Sequence, residues 1–272
     1  TEWAFTDGDK TMTFKINKDA KWSDGQPLTS KDVIYTLKMA LHSNTGSRWR
    51  SIMGDIVGAA DYPDKSDNVP GLTAPDTNTI VIKTTQPSPG LWTVALPYLA
   101  IMPEHILKDV APDKLREHPQ MLFNPVTSGA YKIASFTERQ FIECQRWDGY
   151  WGKKPHIARI VGRVLDTPTQ IAMLEKGELD LGGSYHTLPA DVERLRKVAS
   201  LVEVKQPGNI PNNLGFNCAK PYLADKRIRQ AVSYAIDRKL ICEKTMKGLF
   251  IPWQTRFGYP WMQPIKDFKE YT

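Results

Sequence analysis

Hydrophobic positions recur every second residue in some stretches of this chain and every third or fourth in others. The switches between the two periods outline its elements. Met12, Phe14 and Ile16 alternate with polar residues behind the turn signal Thr6-Asp7-Gly8-Asp9, so residues 1–28 predict two strands, with a second turn at Trp22-Ser23-Asp24-Gly25. At Thr29-Ser30-Lys31-Asp32 the pattern changes. These four residues form a capping box with Asp in the place of Glu, and Val33, Leu37, Ala40 and Leu41 behind them make the apolar stripe of a helix, with Gly46 just beyond its predicted end.

Residues 44–76 are rich in Gly, Asp, Ser and Pro and predict loops around a short helix from Arg48 to Ile56. Asn78 to Lys83 predicts a strand with Ile80 and Ile82 on one face. Pro87, Pro89 and Pro97 predict an irregular path from Ser88 to Leu99, because proline fixes φ and lacks an amide donor. Residues 109–127 are again loop-rich with a short helix. Tyr131–Ile133 and Phe141–Gln145 predict a hairpin around Thr137-Glu138, and Ile160 to Leu165 a further strand. Thr167 caps a helix with Pro168 at its first position, Ile171 and Leu174 on its buried face and Gly177 past its end. Strands at Glu178–Leu181 and Leu201–Lys205 flank an amphipathic helix over 189–200. This alternation from 158 to 205 predicts an α/β layer with some parallel pairing. Leu214 and Phe216 predict a short strand ended by Pro221. Asp225 then caps a helix carrying Ile228, Val232, Ala235 and Ile236, and Asp237 caps another that stops at Gly248.

A chain of 272 residues with 41% hydrophobic residues and eight Trp can bury a sizeable core and is not a disordered polymer. No apolar run approaches the roughly 18 to 20 residues that span a bilayer. No basic segment followed by an apolar one opens the chain, so it carries no signal peptide, and its start at Thr1 reads as a mature form or an excised fragment. The net charge of +6 leaves room for a nucleic-acid-binding domain, but the basic residues are interspersed with 30 acidic ones and form no run of five like charges. The pattern reads as an ordinary mixed, solvated surface. Cys144, Cys218 and Cys242 exclude a disulfide framework; one bridge could form, and buried thiols are the simpler reading.

Chemistry is hard to find. His42, His105, His118, His156 and His186 form no metal-ligand spacing, and there is no nucleophile elbow or phosphate-binding glycine loop. Glu175, Glu178 and Asp180 could serve a hydrolase as paired carboxylates, but their placement at a helix end and a strand start reads as a solvated edge. No catalytic residue, metal ligand or cofactor is therefore assigned.

Several segments resemble one family. "TFKINKDAKWSDGQPLTSKDVIYTL" is similar to the strand, Trp-Ser-Asp-Gly turn and capped helix of extracytoplasmic solute-binding proteins of ABC transporters, in the cluster that carries peptides, nickel chelates, opines and some oligosaccharides. "LPYLAIMPEHIL" resembles that family's strand ending in Pro before a helix, and "LGFNCAKPYLADKRIRQAVSYAIDR" the opening of its second lobe. Looser matches are Ser128-Gly129-Ala130-Tyr131, with Ala130 where Pro is usual, and the aromatic turn Trp147–Gly152. Gly177-Glu178-Leu179-Asp180 is another match, in the same order along the chain. Within the Trp22-Ser23-Asp24-Gly25 motif, Trp22 is expected to fill a core pocket, and Asp24-Gly25 to turn the chain.

The resemblance implies an α/β, two-lobed periplasmic-binding-protein-like (type II) fold. The expected divisions are 1–126 and 127–208 in lobe one and 209–272 opening a truncated lobe two, the chain being a fragment of a longer protein. It implies a periplasmic or extracytoplasmic monomer, not an enzyme, that closes on a small-molecule solute, most readily a peptide, and delivers it to a membrane permease. Ser184, Tyr185 and His186, after a Gly-Gly pair, and Asn209, Asn212 and Asn213, leading to the crossing strand, are the expected ligand-binding residues. Trp49 and Arg48 are weaker candidates, since an exposed Trp can stack on a ligand. All of these are also ordinary turn or core residues.

Overall fold

The computed structural model describes residues 2–123, 125–182, 188–204 and 212–252. It divides into two compact units, Thr1–Val164 and Leu165–Thr272. The first holds nearly all of the buried apolar side chains.

Unit one starts with β1 (Glu2–Thr6) and β2 (Thr11–Lys15), which form the expected antiparallel pair. Asp7, Gly8 and Asp9 all turn through positive φ between them. With β3 (Leu72–Thr73) and β4 (Thr79–Lys83) they make a sheet in the order β1-β2-β4-β3. The register sets Met12 opposite Ile82 and Phe14 opposite Ile80, so these apolar side chains share one face. Onto that face packs α1 (Ser30–Leu41) through Leu37, Ala40 and Leu41, together with Met53, Ile56, Leu91 and Ala95. The capping box at Thr29 and Asp32 forms as the sequence predicts. Gly46 does not end α1; His42 does, and Gly46 closes the single helical turn that follows, at φ 60°.

The chain departs from its local signals at the prolines. Ser88 to Leu99 is not irregular: Pro89 opens a helical stretch, in whose first turn no amide hydrogen is needed, and a wide helical turn over Leu91–Ala95 carries it into α2 (Leu96–Tyr98). The short helix expected from Arg48 is a tighter turn at Ile52–Asp55. Residues 99–103 do not form a strand. Their backbone is held instead by α1, whose Thr36 hydroxyl accepts from the Met102 amide at 2.8 Å and whose Asp32 carboxylate accepts from the Glu104 amide at 2.9 Å. α3 (Glu104–Leu107) and α4 (Pro119–Leu122) follow. A second cluster forms around Trp22, with Ala20, Leu28 and the partly buried Ile101, Val126 and Trp151. β5 (Tyr131–Thr137), β6 (Phe141–Arg146) and β7 (Arg159–Arg163) form a three-stranded antiparallel sheet, with the hairpin turn at the expected place.

In unit two, α5 (Thr167–Glu175) is capped one residue earlier than predicted, by Asp166, whose carboxylate accepts from the Thr169 amide at 2.8 Å. Ile171 and Leu174 are buried on it as expected. α6 (Pro189–Leu195) ends sooner than its periodic pattern. Pro221 does not break the chain but opens α7 (Pro221–Ala224), again as a first-turn proline. Asp225 caps α8 (Lys226–Ala235), Asp237 caps α9 (Arg238–Leu240), and Gly248 turns the chain at φ 77°.

The strands predicted at Glu178–Leu181, Leu201–Lys205 and Leu214–Phe216 are not formed among the described residues, and every strand pair there is antiparallel. A strand exists only with a neighbour to receive its amides and carbonyls, and these segments have none alongside among the described residues. Their apolar side chains are left open: Leu181 is 89% exposed and Val202 87%. Of the three thiols, all free, only Cys242 is buried; Cys144 is half-buried and Cys218 exposed, so the reading of buried thiols holds for one.

Candidate solute-binding site

The expected ligand-binding residues fall unevenly on the structure. Ser184, Tyr185, His186 and Asn209 lie outside the described residues. Asn212 and Asn213 are described and exposed, on a segment without regular structure that leads to α7. Gly182 has a packing role: a side chain there would come within 2.8 Å of Leu174 Cδ1. The weaker pair, Arg48 and Trp49, does form a contact. The Arg48 guanidinium lies 4.3 Å from the centre of the Trp49 ring, which stacks on Tyr98 at 6.3 Å and 19°. Trp49 also packs against the main core of unit one, which is the structural role a half-buried Trp ordinarily has.

The Trp-Ser-Asp-Gly turn is a junction rather than a reactive site. Trp22 is 1% exposed, and Gly25 carries the φ of 94° that the turn requires. Ser23 ties the turn to the 127–132 segment: its amide donates to the Thr127 carbonyl at 2.7 Å, its hydroxyl accepts from the Thr127 amide at 3.1 Å, and its carbonyl accepts from Lys132 at 2.8 Å. Asp24 meets His105 Nε2 of α3 at 2.8 Å. Partial burial pushes the Asp24 carboxyl up, but hydrogen bonds from His105 and the Gln26 amide, with the nearby imidazole charge, outweigh it and hold the group below its ordinary value of 3.8. The Asp24–His105 pair was missed in the sequence, since 81 residues separate its members and only the packing of α3 brings them together.

The acidic trio shows no hydrolytic arrangement. Glu175 is ion-paired with Arg194 of α6, and Glu178 and Asp180 are exposed. Among the described residues, no three His, Cys, Asp or Glu side chains come together as a metal site, and no helix is long and apolar enough to cross a membrane.

Comparison with known proteins places this scaffold. The family model described as "Bacterial extracellular solute-binding proteins, family 5 Middle" matches residues 1–272. The chain belongs to that family. Among its curated relatives, the oligopeptide-binding protein OppA of Lactococcus lactis subsp. cremoris is 30% identical over 261 residues, covering 89% of this chain and 44% of its own length. Among solved structures, lactococcal OppA with an endogenous peptide in the closed conformation superposes with a TM-score of 0.78 at 27% identity, over 91% of this chain and 49% of that one. NikZ from Campylobacter jejuni, in complex with Ni(L-His), superposes with a TM-score of 0.74 over 89% of this chain and 45% of its own; at 18% identity it shows the fold alone. This family 5 chain thus spans under half the length of the relatives it matches. Its fold is α/β and covers part of the two-lobed periplasmic-binding-protein architecture, as the motifs around Trp22 and Asp225 implied.

Proposed function

We propose that this chain is part of the solute-binding component of an ABC importer. The component captures a peptide, or a similar small polar solute, between two lobes and hands it to a membrane permease outside the cytoplasm. The match of the whole chain, 1–272, to the family 5 model carries this reading, and the likeness to a peptide-bound relative favours peptide over the other solutes. Capture of this kind is binding without conversion: the closed state is stabilised because only there do both lobes touch the solute. The segments from Gly182 to His186 and from Gly208 to Asn213 are the places where backbone and polar side chains reach it, with the passage to the second lobe after Gly208. Asn and Tyr suit this task because they orient polar groups without needing a charge of their own. The component acts as a monomer and has no catalytic step. Neither the carboxylates of the acidic trio nor the dispersed basic surface supports hydrolysis or nucleic-acid binding.

The reading is tested by native mass spectrometry of the protein extended to the length of its relatives and purified without refolding. The expected result is a retained set of peptide masses that dissociates unaltered. Calorimetry then compares the extended protein with this chain for the peptide so identified, and this chain is expected to bind far more weakly. Equal affinities, or chemical conversion of the bound compound, would overturn the proposal.

A further inference from the structure

Two histidines of unit one are used alike. The Nδ1 of His42 accepts from the Asn44 amide at 3.2 Å and caps the helical turn Ser43–Thr45. The Nδ1 of His118 accepts from the Gln120 amide, also at 3.2 Å, and caps α4. A backbone amide can only donate, so each ring nitrogen must be bare, with the ring proton on Nε2. The two caps flank one joint. The turn Ser43–Thr45 packs against the helical stretch Pro112–Glu117 that ends at His118, and Arg116 of that stretch donates to the Gly46 carbonyl at 2.7 Å. Beyond His118 the buried Gln120 clasps Val126 through both ends of its amide, each at 2.9 Å, and Val126 leads to Thr127, which is fastened to Ser23.

We propose that His42 and His118 make this joint acid-sensitive: on taking a proton, each ring gives up the acceptor on which its cap depends. Imidazole is the side chain that changes charge between pH 5 and 8, and a doubly protonated ring carries N–H at both nitrogens, so the Asn44 and Gln120 amides would then face a donor. Ser, Thr and Asn, the usual caps, undergo no such change. Among the described residues His105 is the histidine with an ion pair, and neither His42 nor His118 has a carboxylate to hold the added proton. On the His42 side the ring meets Tyr62 edge to face at 5.8 Å and 85°, and Lys38 of α1 lies 5.9 Å from the centre of the same Tyr62 ring. Burial and the charge of Asp67 push the Tyr62 hydroxyl up, so it stays neutral. On the His118 side Lys114 and Glu117 pair with each other at 3.4 Å, Arg116 is turned to Gly46, and Asp113 is the remaining charge of the stretch. The caps therefore contribute stability at neutral pH and above, and lose it as pH falls through the histidine range. The joint lies wholly within unit one and does not depend on the importer reading.

The test is amide hydrogen exchange of this chain at about pH 8 and about pH 5, either side of the histidine range, with each rate referred to that of an unstructured chain at the same pH. His42→Asn and His118→Asn are measured beside it. Asn is among the best caps and takes no proton, so each variant keeps the cap and removes the switch. On acidification the wild type is expected to lose about fivefold protection at Asn44 and Gln120, while His42→Asn holds protection at Asn44 and His118→Asn holds it at Gln120. Loss of the His42–Tyr62 ring contact acts equally at both pH values and cancels from this comparison. The Lys31 amide, which donates to the Thr29 hydroxyl in a cap without histidine, is expected to change less than about twofold. Protection at Asn44 and Gln120 that does not fall on acidification, that falls equally in the Asn variants, or that falls in step with Lys31 would overturn the proposal.

Discussion

Asp32 is the residue on which the packing of unit one is most exposed to a single change. It is 4% exposed, and its carboxylate takes three hydrogen bonds. One oxygen accepts from the Thr29 amide at 2.8 Å and the Thr29 hydroxyl at 3.3 Å, and the other from the Glu104 amide at 2.9 Å. The first pair completes the N-terminal cap of α1; the last fastens the start of α3 to it. In Asp32→Ala the cap loses its reciprocal half, worth about 1 kcal/mol. The Glu104 amide loses a charge-assisted acceptor, worth about 2 kcal/mol. The expected loss is therefore about 3 kcal/mol. For a protein of this size that lowers Tm by roughly 6–12 °C. Six of the eight tryptophans precede Val164, so fluorescence-monitored urea unfolding reports this unit. The midpoint should fall with little change in slope. Hydrogen exchange at the Glu104 amide should quicken beyond the change at β5. The control is Asp61→Asn, which loses only the exposed pair with Lys65 and is expected to change stability by under about 0.5 kcal/mol. A loss below about 1 kcal/mol in Asp32→Ala, or an unchanged exchange rate at Glu104, would refute the assignment of Asp32 as the tie between the two helices.

Gly71→Ala is expected to destabilise unit one by about 2 kcal/mol in the same unfolding assay, because its Cβ would lie 2.6 Å from the Lys83 carbonyl and 2.7 Å from the Val57 amide, backbone that cannot step aside. Asp24→Asn should cost about 1 kcal/mol near neutral pH. Because the folded carboxyl lies below 3.8, its contribution is present above that pH and lost as pH falls through the folded value, so the difference between wild type and variant should close on acidification; a gap that persists under acid conditions would sink the argument. Tyr35 is pushed up to about 12 by burial and by the charge of Glu104, with its hydroxyl donating to the Leu107 carbonyl at 2.8 Å. The sign is opposite here: its contribution is whole below pH 10 and drains away between about 10 and 12, so Tyr35→Phe should flatten alkaline destabilisation and remove the latest phenol from an ultraviolet titration.

Much of unit one is legible in its sequence because its signals are local and agree with one another. Thr29 and Asp32 are three residues apart and need only each other to cap α1, and Met12, Phe14, Ile80 and Ile82 declare their faces by alternation. The prolines at 87, 89 and 97 misled because Pro89 falls in the first turn of a helical stretch and not inside it, a difference of a few residues. Of the proposed solute site, the sequence offered only the two Asn- and Gly-rich segments. Asp24 with His105 joins residues 81 positions apart, and no pattern in the chain announces the pair.

The chain by itself determined its family, the caps of α1 and α8, and the faces of its first sheet, since each depends on residue types at short spacing. Tertiary structure alone decided which strand-patterned segments become strands. Glu178–Leu181, Leu201–Val204 and Leu214–Phe216 have the composition of strands and are not strands here. The physical reason is that a helix satisfies its backbone within itself, while a strand borrows its hydrogen bonds from a neighbour that only the assembled fold can supply.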